Sequence, residues 1–324
     1  MFWKGPVFTK NGFTGKGVDL KKCEIIDKLE GEEEGIIIPL FRNCHTHLGD
    51  TLARNIVPKN LSLSEIVGPT GWKHKWLSEN NAKDSVLSGI KEVIASGTGL
   101  IMDFREGGLD GLKAFDDIEY PGTAILLGRS SKTLPGDNAG ISSLADVGII
   151  ANKLAEQARN KGGLIGIHHS ENQHEKIEPI LELGPDFVVH LCHATHEDLV
   201  SIKSAGISVV VCPRSNALFG NLPPLEEMIE LGIDVGFGTD NGMFCTVNIL
   251  DEIRFIREKF PKLSMEKILT IACFGLDDMF NKDGSSAYSN LEQSGWMLLS
   301  RGAEDNFESV FSPETEILGV RWRN

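Results

Sequence analysis

The sequence predicts an α/β fold: a closed (β/α)8 barrel of the TIM type, with a small β appendage built from both ends of the chain. Three observations predict it. Short apolar runs of strand length alternate with segments of helical period, which implies a parallel sheet with crossover helices. Seven such strands can be counted and a weaker eighth falls near 139–143, enough to close a barrel. The first strand is followed by His45 and His47, where an open doubly wound sheet would carry a glycine-rich phosphate loop.

In chain order, residues 1–34 mix short apolar pieces with Gly12, Gly15, Gly17 and an acidic run at 30–34, read as short strands and a solvated loop. Residues 35–50 read as a buried strand ending in the two histidines. The connection 51–81, with Arg54, Trp72, His74 and Trp76, lacks clear periodicity and has the length of a lid or binding loop. Val86, Leu87, Ile90, Val93 and Ile94 then share one face of a helix over 82–96, closed by Gly97. Strands are expected at 100–104, 123–128, 164–168, 187–191, 207–212 and 233–237. Helices are expected at 147–160, 173–183, 197–205, 224–231, 247–259 and 264–274. Short strands around Trp296 and Ile317 should pair with the N-terminal segment. The expected division is a barrel over 36–284, with 1–35 and 285–324 forming the appendage.

Composition sets the class. A chain of 324 residues, 41% hydrophobic and 24% charged, has ample material for a core and no disordered character. Its 32 basic and 46 acidic residues give a net charge of −14, which repels nucleic acid and anionic membranes, and no Lys/Arg-rich run offsets it. The first residues lack the apolar core of a signal peptide and no apolar run is long enough to span a membrane, so a cytoplasmic location is expected. Six separated cysteines without a C-x-x-C pair read as reduced core residues.

The chemistry lies at the strand ends. Side chains alternate along a strand, so His45 and His47 face one way and Thr46 the other. His168 ends one strand, with Glu171 in the loop beyond it; His190 ends the next; Asp240 follows the strand at 233–237, two strands further on. In a β/α barrel these positions share one rim. Each has an ordinary alternative: H-x-H can cap a strand, Asp240-Asn241-Gly242 can be a turn, and His190 can be a core histidine. His168 and His169 face opposite ways, so only one can enter the barrel. Three imidazoles and a carboxylate form an N/O site suited to divalent zinc or iron, with a position left for water.

The order His45-x-His47, His168-x-x-Glu171, His190, Cys212-Pro213-Arg214-Ser215-Asn216 and Gly238-Thr239-Asp240-Asn241 resembles the amidohydrolase superfamily. More narrowly, it resembles the mononuclear metal-dependent deaminase and chlorohydrolase branch, which includes guanine, cytosine and S-adenosylhomocysteine deaminases. The resemblance covers roughly 36–275. It implies His45, His47, His168 and Asp240 as ligands of one divalent metal ion, zinc ahead of iron, and Glu171, His190 and Asp240 as catalytic groups. Two departures stand out: the flanking β domain is smaller than that branch usually carries, and no lysine stands at the end of the fourth strand to bridge a second metal.

The implied activity is hydrolytic deamination of an amino-substituted heterocycle, such as a nucleobase or nucleoside, with release of ammonia. The runner-up at the same metal is hydrolysis of a cyclic amide or a carbon–halogen bond. A metal-binding barrel without turnover is the alternative of a different class. Neither a G-x-S-x-G elbow nor a P-C-x-x-C motif is present. Arg105, Arg129 and Arg214 follow three strands and, if they share the rim, suit an anionic substituent. Trp72 could stack on a ring. The expected partner is therefore a small heterocyclic substrate, not a nucleic acid polymer or a membrane, with self-association left open.

Overall fold

The computed structural model describes residues 2–27, 33–130, 132–281, 294–302 and 305–323. Part of the acidic run and the expected barrel boundary at 284 lie outside them. The barrel wall is formed by β1 (Phe41–His47), β2 (Thr98–Arg105), β3 (Thr123–Gly128), β4 (Asn138–Ile141), β5 (Ile165–His169), β6 (Phe187–His190), β7 (Ser208–Val211), β8 (Val235–Phe237) and the two-residue β9 (Asp240–Asn241). They pair in parallel, in sequence order from β1 to β8, and β9 pairs back onto β1 with Asp240 opposite Thr46. The eighth wall position is thus split. β8 follows β7, and the chain then crosses to β1.

Asn43 and Thr239 make that closure. Asn43 Nδ2 donates to Thr239 Oγ1 at 2.8 Å, Asn43 Oδ1 accepts from Thr239 N at 3.1 Å, and Thr239 N also lies 3.1 Å from the His45 carbonyl. Two buried polar groups thereby satisfy one another at the seam, where an unpaired amide would cost about 1–3 kcal/mol. Gly238 sits beside the seam because a Cβ there would lie 2.7 Å from His45 Cβ. Only glycine lets β8 approach the first histidine so closely.

The wall strands are largely buried on both faces, as expected for parallel strands covered by helices, with polar residues concentrated in β1, at the strand ends and in β9. The helix Ile150–Asn160, for example, presents Ala151, Leu154, Ala155 and Ala158 to the sheet. Each fully buried large aliphatic side chain is worth about 1.5–3 kcal/mol. Two expected helices are shorter than their periodicity suggests. The segment expected at 147–160 is broken at Gly148, whose φ of 54° interrupts it, and that expected at 173–183 begins only at Glu178.

The segment before the histidines divides differently from the sequence expectation. Ile36–Pro39 does not belong to the barrel wall. It is the central strand of a five-stranded sheet with Ile317–Trp322, Gly295–Leu299, Val7–Thr9 and Gly12–Thr14. Pro39 has no N–H to continue a ladder, and past it Leu40 N donates to the Gly295 carbonyl while Phe41 N donates to that of Gly97. The wall therefore starts at Phe41. Ile36 and Ile38 face the main core, while Ile37 packs with Trp3, Val7, Val18, Trp296 and Leu298. A second, four-stranded sheet contains Phe2–Lys4, Gly17–Asp19, Glu24–Ile26 and Glu33–Glu34.

The aperiodic stretch 51–81 is also more ordered than a loop. It holds the end of a 3-10 turn, Leu48–Ala53, and the helices Leu63–Val67 and Trp72–Glu79. The first helix has a reciprocal cap between Ser62 and Glu65, whereas the second starts at Gly71 without a side-chain cap. Among the described residues no helix is long and apolar enough to cross a membrane.

Candidate active site

β1 delivers His45 and His47 to the barrel interior, and Thr46 turns the other way to donate to Asp103 Oδ1 at 2.8 Å. His168, near the end of β5, stands opposite, its Nε2 3.3 Å from His45 Nε2. Its Nδ1 lies 3.0 Å from the Ile141 carbonyl. A carbonyl only accepts, so the proton is on Nδ1 and the Nε2 lone pair points into the barrel. Asp240 Oδ1 lies 3.3 Å from His45 Nε2 and 3.7 Å from His47 Nε2. His190 completes the group, its ring centroid 5.3 Å from that of His168 and 5.8 Å from that of His45.

Backbone strain aims two of these groups. His190 has φ 80° and Asp240 has φ 60°, left-handed conformations that non-glycine residues adopt at a cost of about 1–3 kcal/mol. His190 ends β6 and Asp240 opens β9, so in each case the left-handed residue turns the chain where a strand ends or begins.

Burial sets the charges. It lowers the pKa of His45 to about 4 and that of His47 to about 3, and it drives His168 well below the usual imidazole range. All three are therefore neutral at neutral pH, the state in which imidazole binds a metal. Burial works against the charge on Asp240, but the His45 hydrogen bond and the surrounding imidazoles outweigh it and hold the carboxyl well below its usual range. Glu171 goes the other way: burial raises its pKa, only partly offset by nearby His190. Its Oε2 lies 3.6 Å from His190 Nε2.

The donor set fits a divalent ion. One nitrogen each from His45, His47 and His168 lie within 4.8 Å of one another, as do single ligand atoms of His45, His190 and Asp240. Neutral imidazoles with a carboxylate are the ligands that zinc and iron accept. His190 Nδ1 lies 3.1 Å from Asn216 Nδ2, while Asp240 Oδ2 accepts from Ser215 Oγ at 2.6 Å.

A cavity of about 340 Å³ opens on this cluster, bounded by His47, His168, His190, Asp240, Glu171 and Arg129, among others. Of the four residues expected to bind substrate, only Arg129 lines it. Arg105 is buried, its Nη1 3.1 Å from Asp103 Oδ2 and its Nε donating to the Gly111 carbonyl. It belongs to the packing outside β2. Arg214 spends its guanidinium on Thr246 and the Asn248 carbonyl. Trp72 stacks on Trp76, 6.4 Å between centroids, in an apolar cluster with Ala53, Ile66 and Met243. Arg129 itself donates to Glu106 Oε1 at 2.8 Å, so its charge is already matched.

Other site residues carried no sequence signal. Lys73 lies in the aperiodic stretch, yet its ammonium is buried between Asp50 and Glu106. Burial opposes its charge, and the two carboxylates more than compensate. Ser215 and Asn216 sit inside a recognised motif, but only the fold shows that they touch Asp240 and His190. Four of the five remaining histidines find other side chains: His169 lies beside Glu175, His174 beside Asp198, His193 beside Asn221 and His196 beside Glu227.

Residues 36–168 and 150–283 match the sequence profile described as the Amidohydrolase family. A relative in Archaeoglobus fulgidus, provisionally named an aminohydrolase, is 35% identical over 260 residues, 78% of each chain. The 5-methylthioadenosine/S-adenosylhomocysteine deaminase of Haloarcula marismortui is 23% identical over 280 residues, covering 70% of this chain and 63% of that protein. Among solved structures, 5-methylcytosine deaminase from Klebsiella pneumoniae superposes with a TM-score of 0.70 at 16% identity, covering 99% of this chain and 96% of the other. Guanine deaminase from C. acetobutylicum gives a TM-score of 0.67 at 17% identity, covering 92% and 90%. With three quarters of its length matched by the profile, the chain belongs to the amidohydrolase family.

Proposed function

We propose that this protein is a hydrolytic deaminase of an amino-substituted heterocycle, holding one divalent ion, zinc ahead of iron, at His45, His47, His168 and Asp240. Membership of the amidohydrolase family makes it a hydrolase acting on C–N bonds. The observation that carries the narrower reading is Glu171, a carboxyl of raised pKa facing the cavity 3.6 Å from His190. A carboxyl whose pKa is raised by burial, beside such a cluster, is suited to give an amidine the proton it needs to be attacked by water. Relatives named deaminases support the same reading.

The ion, when bound, supplies Lewis acidity that makes hydroxide available at neutral pH. The chain's own residues do the rest. Asp240, ionised and held by Ser215, accepts a proton at Oδ1, the oxygen nearer the histidines. His190, steadied by Asn216, donates toward the charge that develops on the attacked carbon's substituents. Glu171 donates its proton to the ring nitrogen; the proton taken up by Asp240 then passes to the amino group, which leaves as ammonia, while the added hydroxyl returns its proton to Glu171 and the carbon becomes a carbonyl. The substrate expected is a heterocycle without an anionic substituent, because the one arginine on the cavity wall is paired with Glu106.

The test is ammonia release from aminopurines, their nucleosides, aminopyrimidines, pterins and aminotriazines, each with and without an anionic group, by protein loaded with zinc or iron. Release from one ring class, with no preference for its anionic members, is expected. Absence of ammonia throughout, from fully metallated protein, overturns the deaminase reading in favour of ring-amide or carbon–halogen hydrolysis.

A further inference from the structure

We propose that Lys73 is a positioning residue through which the helical segment covering the site sets two of its proposed metal ligands, His47 and Asp240. This rests on the metal-site reading above. Lys73 lies in the first turn of the helix Trp72–Glu79 and is only 2% exposed. Ser64, Val67, Gly68 and Pro69 of the same covering segment form one wall of the cavity. Its ammonium stands at the head of two relays, one of close charge contacts and one of hydrogen bonds.

The first relay runs through Glu106. Lys73 Nζ lies 2.7 Å from Glu106 Oε1, and that oxygen lies 2.9 Å from His47 Nδ1. The negative charge beside Nδ1 favours the imidazole proton on that nitrogen, which leaves the Nε2 lone pair on the side of Asp240. The second relay runs through Asn241. Lys73 Nζ donates to Asn241 Oδ1 at 2.6 Å, and Asn241 Nδ2 donates to Asp240 Oδ1 at 2.8 Å. An ammonium has no acceptor, so it dictates which way the Asn241 amide points. Without it the amide can turn its oxygen toward Asp240, and the carboxylate loses a donor and gains a repulsion. A third contact, 3.0 Å to Asp50 Oδ2, ties the ammonium to the turn that follows β1.

One side chain from the cover therefore fixes ligands on β1 and β9. Without the Lys73 ammonium, Asp50 loses this cation and Glu106 keeps only Arg129, and both relays loosen together. Coupling of this kind is reciprocal: ligand capture by the site must also steady the cover.

Three measurements test it: the zinc dissociation constant by competition with a chromophoric chelator, the visible spectrum of the cobalt-loaded protein, and backbone hydrogen exchange over 63–79 with and without zinc. In the wild-type protein zinc should slow exchange across this segment. Lys73→Met keeps the stem but removes the donors. It should weaken zinc binding about 10–100-fold, alter the cobalt bands and abolish the zinc-dependent protection, whereas Lys73→Arg should restore part of each. Where Lys73→Met does not fold, Asn241→Ala cuts one relay and should weaken binding and alter the cobalt bands to a smaller extent. Unchanged zinc affinity and an unchanged cobalt spectrum in the folded variant overturn the proposal. A wild-type protein that takes up neither ion overturns the metal reading itself, and this proposal with it.

Discussion

Ser215 Oγ donates to Asp240 Oδ2 at 2.6 Å, so the residue after Arg214 holds the carboxylate proposed as a metal ligand beside His45 and His47. Hydrogen bonds to charged groups contribute about 1.5–3 kcal/mol. Ser215→Ala should therefore lower kcat/KM of the metallated enzyme about 10–100-fold. Because Asp240 keeps its donor from Asn241, the ion should still bind, though more weakly. Steady-state kinetics alongside metal analysis check this, and an unchanged kcat/KM would remove Asp240 from the proton path.

Glu171 separates chemistry from metal binding. Its carboxyl lies outside both groups of side chains close enough to share an ion. Glu171→Gln keeps the shape and removes the transferable proton, so turnover should fall about 10²–10⁴-fold while metal content stays at the wild-type level. Loss of metal together with activity would instead make Glu171 a ligand.

That His45, His47, His168 and Asp240 come together was legible because each lies at or near a strand end, and the barrel brings strand ends together whatever their sequence separation. The substrate arginines were misjudged for the converse reason. A residue just past a strand can turn to either side, and the direction depends on neighbours that the sequence does not order. Asp103 and the Gly111 carbonyl draw Arg105 into the packing, and Thr246 draws Arg214 away. Lys73 was missed because its helix has only eight residues and begins without a side-chain cap, so neither periodicity nor capping marks it. Ile36–Pro39 was merged with β1 because only Leu40 separates the two strands; only the missing N–H of Pro39 hinted that the chain changes sheets.

Glu252 should leave a mark on stability. It is buried behind Arg214, accepting from its backbone N at 2.9 Å, and burial raises its pKa from an ordinary 4.5 to about 8. The folded state thus binds a proton that the unfolded chain releases near pH 4.5. Between those two values the native state holds more protons, so stability from this group is present below pH 4.5 and falls as pH rises toward 8. The slope is about 1.4 kcal/mol per pH unit for one group. Glu252→Gln should flatten the decline seen in urea unfolding between pH 5 and 8, and an equal slope in both proteins would contradict the raised pKa.

Two glycines of one strand region test whether crowding at the seam is a matter of stability alone or also of the site. A Cβ on Gly238 would meet His45 Cβ at 2.7 Å and the His45 carbonyl oxygen at 2.9 Å, while one on Gly236 would meet Cys44 Sγ and Leu276 Cγ, each at 2.8 Å. Both changes overpack the barrel, and each should cost about 1–3 kcal/mol, read as a lowered Tm. Their chemical consequences should differ. Cys44 and Leu276 belong to the apolar core and can shift without moving a proposed ligand. Displacing His45 moves a nitrogen that lies 3.3 Å from both His168 Nε2 and Asp240 Oδ1. Gly238→Ala should therefore weaken zinc binding about 10-fold or more, with Gly236→Ala holding the ion as the wild type does. Equal metal affinity in both variants would show that the ligand cluster tolerates movement of β1, and that the glycine at the seam serves packing only.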